Sequence, residues 1–158
     1  MTLFKRILCP VDFSETSTQA LLYAEKLARE MGAELILVHA FDAPKSYDDA
    51  GQREPADPNI KAKLQDIKPM YPELPVRRAL HAGPPGEVVC WLAQDQQCDL
   101  IVMGTHGRSG LMHLLMGSVA EYVLRHAQCP VVVVRDKPSD EPAPVEPKVL
   151  PLPPPQWM

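Results

Sequence analysis

The chain of 158 residues is 46% hydrophobic and 23% charged, the profile of one ordinary globular domain that can bury a core without metal or disulfide staples. Its formal charge of -4, with no Lys/Arg run longer than a pair such as Arg77 and Arg78, leaves no cationic footprint for a phosphate backbone and excludes nucleic acid as an expected partner. Cys9, Cys90, Cys98 and Cys129 stand far apart, without a Cys-x-x-Cys pair or a histidine at zinc spacing, so they read as reduced thiols packed as small hydrophobes rather than as a metal site.

The first ten residues place two cations inside a short apolar run that passes straight into a strand pattern; neither a signal peptide nor a membrane span is predicted, and the expected location is the cytoplasm. Lys5 to Val11 has strand length and Pro10 marks its end. Apolar residues at Ala20, Leu21, Ala24, Leu27, Ala28 and Met31 then describe one buried face of a helix over Ser14 to Glu30, with Gly32 at the expected C-terminal glycine position. Glu34 to Ala40 is a continuous apolar run, the pattern of a parallel strand covered on both faces. Phe41 to Asn59 is polar and carries Pro44, Gly51, Pro55 and Pro58, which predicts a loop that could serve as a lid over a site.

A helix over Ile60 to Met70, a strand over Val76 to Ala82, a helix over Pro85 to Gln97 and a buried strand over Asp99 to Met103 follow. A glycine-rich segment comes next, in which Leu111, Met112, Leu114, Leu115 and Met116 suggest a short packed helix. Ser118 to Ala127 reads as a helix and Pro130 to Arg135 as a last strand. Of 18 prolines, eight fall after Arg135, a density that sustains neither helix nor central strand, so the domain is placed at 1–135 and residues 136–158 are read as a proline-rich tail, extended or disordered. Two Pro-x-x-Pro spacings there, Pro144 to Pro147 and Pro151 to Pro154, could be offered to an aromatic groove on another protein, and Trp157 could instead dock on the domain.

Five strands alternating with helices imply an α/β fold: a five-stranded parallel sheet with helices on both faces. Ligands of such sheets bind beyond the carboxyl ends of the strands where strand order reverses, which directs attention to the loops after Pro10, His39 and Met103. The last of these loops reads Gly104-Thr-His-Gly107-Arg-Ser-Gly110-Leu-Met-His-Leu-Leu-Met-Gly117-Ser118. It is neither the Gly-x-Gly-x-x-Gly fingerprint nor a phosphate loop ending in Gly-Lys-Ser/Thr. Glycines nevertheless let backbone N–H groups converge on phosphate oxygens, Ser118 could cap the next helix, the N-terminus of that helix favours an anion, and Arg108 adds a cation. Asp12 could accept ribose hydroxyls, with Ser14 available to cap the first helix in its place. The five histidines show no metal spacing, and His106 reads as a loop residue without a catalytic role.

Gly-x-x-Gly, nine residues, Gly-Ser resembles the ATP-binding signature of the glycine-motif subgroup of the universal stress protein family. Cys9-Pro-Val-Asp-Phe-Ser-Glu, the Leu-Val-His-Ala strand, Asp99-Leu-Ile-Val-Met-Gly and Cys129-Pro-Val-Val-Val-Val-Arg are similar to family segments in the family's order. The resemblance implies a Rossmann-like sheet of the adenine nucleotide alpha hydrolase type that binds ATP, or AMP or ADP. It places Pro10, Val11 and Asp12 around adenine and ribose, Ala40 beside adenine, and Met103 with Gly104 beneath the nucleoside. Gly107, Arg108, Gly117, Ser118 and Val119 would surround the phosphates, and Ser118 could give one oxygen to a Mg²⁺ ion carried by the nucleotide. The resemblance also implies a homodimer formed near Val131 to Val134, a β-branched run that pairing with a second subunit would protect if it lies on a sheet edge. The leading expectation is a nucleotide-binding stress-response or signalling module. The alternatives are a slow ATPase and an interaction protein acting through its tail; the loop Ser-Gly-Gly-x-Asp-Ser of ATP pyrophosphatases is absent.

Overall fold

The structure, a computed structural model, describes residues 3–42, 51, 55, 57–105 and 116–135. Most of the expected lid, His106, Gly107, Arg108, the apolar residues 111–115 and the tail from residue 136, Trp157 included, lie outside the described residues. In chain order the elements are β1 (Arg6–Pro10), α1 (Glu15–Met31), β2 (Glu34–Phe41), α2 (Ile60–Asp66), β3 (Val76–Ala82), α3 (Pro85–Asp95), β4 (Leu100–Gly104), α4 (Ser118–His126) and β5 (Val131–Val134). All strand pairs are parallel and the sheet order is β3-β2-β1-β4-β5. The chain builds outward from β1 to β3, then crosses back to lay β4 on the other side of β1, so the order reverses between β1 and β4.

Alternation along the strands divides the core between the two faces. Ile7, Cys9, Leu35, Leu37, Leu100 and Val102 pack with Leu21, Ala24 and Ala28 of α1 and Leu64 of α2. Leu8, Ile36, Val38, Ile101 and Met103 pack on the other face with Val88, Val89 and Leu92 of α3 and Ala120 and Val123 of α4. Helices therefore cover both faces, as the strand and helix alternation requires.

Two element ends explain themselves locally. Helix α1 begins at Ser14, whose Oγ accepts the Ser17 N–H at 3.2 Å, and ends at Gly32, left-handed at φ 62°, with the Ala33 N–H on the Ala28 carbonyl at 2.8 Å. Helix α2 stops at Asp66 rather than running to Met70: Ile67 is already extended (φ -65°, ψ 110°), and Pro69 disfavours helical backbone at Lys68. Strand β5 lies on a sheet edge, as the dimer expectation assumed, but its valines are half-buried rather than exposed. Val132 and Val134 pack against the α1-side core and Val131 against the other.

Candidate functional site

The reversal between β1 and β4 opens a cleft of about 220 Å³ at the carboxyl ends of the strands. Nine of the residues singled out from the sequence line it: Pro10, Val11 and Asp12 after β1, Ala40 near the end of β2, Met103 and Gly104 on β4, and Gly117, Ser118 and Val119 where α4 starts. The other two, Gly107 and Arg108, lie outside the described residues. Ser17 of α1, Val38 and His39 of β2, Pro85 and Val89 of α3, Thr105 and Ala120 complete the wall. These were not expected from the sequence. Pro85 and Val89 come from a helix remote in sequence from the glycine segment, whereas Thr105, standing inside that segment, could have been found there.

Buried hydrogen bonds hold the floor in place. His39 Nδ1 lies 2.7 Å from the Val11 carbonyl and the Val11 N–H donates to the Val38 carbonyl at 2.8 Å, tying the ends of β1 and β2 together. Phe13, at the positive φ of 65°, sets its ring 4.9 Å from that of His39. On the far side, the Thr105 N–H donates to the Val134 carbonyl at 3.0 Å and the Thr105 carbonyl accepts the Gly117 N–H at 2.7 Å, which brings the start of α4 to the end of β4. Gly104 has a packing reason beside any ligand role: a Cβ there would stand 2.6 Å from Thr16 Cγ2, so α1 crosses β4 only because the side chain is absent.

Ser14 caps α1, as its availability suggested, and it is also tied to Asp12, whose Oδ1 accepts both the N–H of Ser14, at 3.0 Å, and the Ser14 hydroxyl, while the Asp12 N–H donates to Ser17 Oγ at 3.1 Å. The carboxylate is thus fixed in direction. Ser118 does not cap α4. Gly117 occupies the cap position with extended backbone (φ -70°, ψ 157°), Ser118 is the first helical residue, and no side chain among the described residues caps the helix. The first-turn N–H groups of Ser118, Val119 and Ala120 therefore start the helix at the wall that these same residues form.

Chemically the described wall is apolar from Val38, Ala40, Val89 and Met103, carries one carboxylate at Asp12, and includes the N-terminus of α4. That set suits a flat apolar group with hydroxyls on one side and an anion on the other. No group of three or more His, Cys, Asp or Glu that could hold a metal ion occurs among the described residues, and no helix among them is long and apolar enough to cross a membrane. The cysteine thiols are pushed up by burial, Cys98 to about 11, the behaviour of packed rather than reactive sulfur.

Comparison with known proteins agrees with this architecture. Residues 3–135 match the universal stress protein family. Universal stress protein MJ0531 of Methanocaldococcus jannaschii is 34% identical over 88% of this chain and 86% of its own length. Universal stress protein MJ0577 of the same organism is 30% identical over 87% of this chain and 98% of its own length; its solved structure superposes with a TM-score of 0.65 over 87% of this chain and 99% of that one. The universal stress protein of Archaeoglobus fulgidus solved in complex with dAMP, 22% identical, shares the fold with a TM-score of 0.58 over 84% of this chain and 98% of its own. With the same sheet and a family match that takes in every described residue, the chain belongs to the universal stress protein family.

Proposed function

We propose that the cleft binds an adenine nucleotide, ATP or its mono- or diphosphate, and that occupancy rather than turnover is its output as a stress-response or signalling module. The observation that carries this reading is the N-terminus of α4, which no side chain among the described residues caps, at the wall of the cleft at the switch point of the sheet. Its first-turn N–H groups and the positive end of the helix dipole favour a phosphate there by about 0.3–1 kcal/mol before direct hydrogen bonds. The apolar wall accepts the base and Asp12 accepts from the ribose; Gly107 and Arg108, outside the described residues, are assigned to the phosphates by the sequence resemblance alone. A protein of the same fold holds dAMP, so the fold has room for such a ligand. Efficient phosphoryl transfer needs a positioned nucleophile and metal held by side chains; Asp12, the carboxylate among the described lining residues, is already tied to Ser14, so turnover is absent or very slow and any Mg²⁺ arrives with the nucleotide, touching Ser118.

The test is calorimetric titration with ATP of the whole chain and of Gly117→Glu. The backbone at Gly117 is extended in a way any residue adopts, so the variant folds. Its carboxylate occupies and repels the phosphate position, and affinity falls by roughly a hundredfold or more. Equal titrations of the two proteins would sink the assignment.

We also propose a homodimer through the free edge of β5. The Ile101 N–H bonds to the Pro130 carbonyl and the Thr105 N–H to the Val134 carbonyl, so even-numbered residues of this segment face β4, and Val131 and Val133 direct their backbone groups outward. Val133→Pro removes an outward donor without touching the inner ladder, and it converts the dimer to monomer in sedimentation if the subunits join there.

A further inference from the structure

A second cavity, about 350 Å³, lies on the α1 side of the sheet, against α1 and the segment that follows α2. Phe13, Leu21, Leu22, Ile67 and Met70 give it apolar walls, and Glu25 gives it a carboxylate. Glu25 is only 2% exposed and accepts the Met70 N–H at 2.7 Å, yet among the described residues no cation pairs with it. Lys68 lines the same cavity without forming that pair, and the group facing Glu25 from β1 is the buried thiol of Cys9, which feels the carboxylate's charge. Fully buried carboxylates are rare unless paired, because desolvation penalises the charge and one N–H does not replace its lost hydration.

We propose that this cavity binds a small organic ammonium ion, its cation on Glu25 and its apolar body against Phe13, Leu21, Ile67 and Met70. The donor set decides between cations: a metal ion needs several oxygen, nitrogen or sulfur ligands, and no such group exists among the described residues. An alkylammonium needs one carboxylate and an apolar wall, and both are present. The volume holds on the order of ten heavy atoms. Burial raises the proton affinity of Glu25, and a cation against it reverses that penalty. The site is separate from the nucleotide cleft but shares Val11 and Ser17 with it, and Phe13, held at a strained positive φ, forms part of its wall.

The experiment is titration of the whole chain with n-hexylammonium chloride by calorimetry and by amide NMR, with n-hexanol and hexanoate as uncharged and anionic comparators. The ammonium binds saturably and shifts the amides of Met70 and the α1 residues around Glu25. Glu25→Gln keeps an oxygen acceptor for Met70, retains its melting transition, and lowers ammonium affinity roughly tenfold or more while leaving hexanol unchanged. Leu22→Trp, at a partly exposed position, fills the cavity without touching the carboxylate and weakens the ammonium likewise. No saturable binding, equal affinity for hexylammonium and hexanol, or unchanged affinity in either variant would overturn the proposal. Stoichiometric displacement by ATP would do the same, since it would put the amine in the nucleotide cleft; binding that survives saturating ATP supports the second site whether or not the nucleotide reading holds.

Discussion

Two helices begin on either side of the cleft and they begin differently. At α1 the orphan N–H groups are answered from within the chain: Ser14 accepts from Ser17, and Asp12 holds Ser14 in place. At α4 the cap position is a glycine, and no side chain among the described residues answers the first turn. Among the described residues only the α1 start is completed by side chains, and a helix start without such a cap in a cleft is where an anion gains most. The contrast separates residues that hold the cleft's shape from those whose N–H groups the proposed nucleotide would meet.

The largest expected effect comes from breaking the packing that brings α1 across β4. Gly104→Val forces its side chain into Thr16 Cγ2, 2.6 Å from the nearest position a Cβ can take, and lowers stability by about 1–3 kcal/mol, read as a lower urea midpoint. Adding Thr16→Ser removes the obstructing methyl and restores part of the loss. A Gly104→Val protein as stable as the parent would show that the glycine answers only to a ligand.

Exchanging alanine for the two serines sharpens the comparison itself. Ser14→Ala removes the α1 cap and lowers stability by about 1 kcal/mol, whereas Ser118→Ala, at the first helical position and capping nothing, changes it by less than about 0.5 kcal/mol. Matching losses in denaturant melts would mean that α4 is capped after all and would remove the basis for placing a phosphate there.

Much of this arrangement was legible in the residues. Continuous apolar runs such as Leu35 to Val38 can only be strands buried on two faces, Gly32 marks its own left-handed turn, and the reversal of strand order directs attention to the loops after β1 and β4. The early end of α2 was also written in the chain, since Pro69 disfavours helical backbone at Lys68. The missed cap has a different origin. Serine is the commoner cap by propensity, and the bond from the Gly117 N–H to the Thr105 carbonyl, a tertiary contact, accompanies a helix that starts one residue earlier than a Ser118 cap would set it. Tertiary contact likewise brings in His39, Ser17 and Val89, which no spacing groups together. Glu25 left a trace, because Leu21, Glu25 and Ala28 share one helical face and a carboxylate on an apolar stripe invites the question of what it meets.

That carboxylate gives the smallest expected effect. Burial raises the proton affinity of Glu25 above its ordinary value of 4.5, partly offset by the Met70 N–H. The folded protein therefore holds this proton more tightly than the unfolded chain does. The resulting contribution to stability is fully present below the unfolded value and is lost as pH rises through the folded one. Glu25→Gln has no proton to lose and keeps an acceptor for Met70, so the variant gains on the parent as pH rises from about 4 towards neutrality, where the parent must bury either a charge or a costly proton. Melting temperatures of the two proteins measured across that range, compared as a difference so that all other titrating groups cancel, should diverge upward in the variant's favour. A difference that stays flat would show that water reaches Glu25 freely, and one that grows the other way would reveal a cation already paired with it in the second cavity.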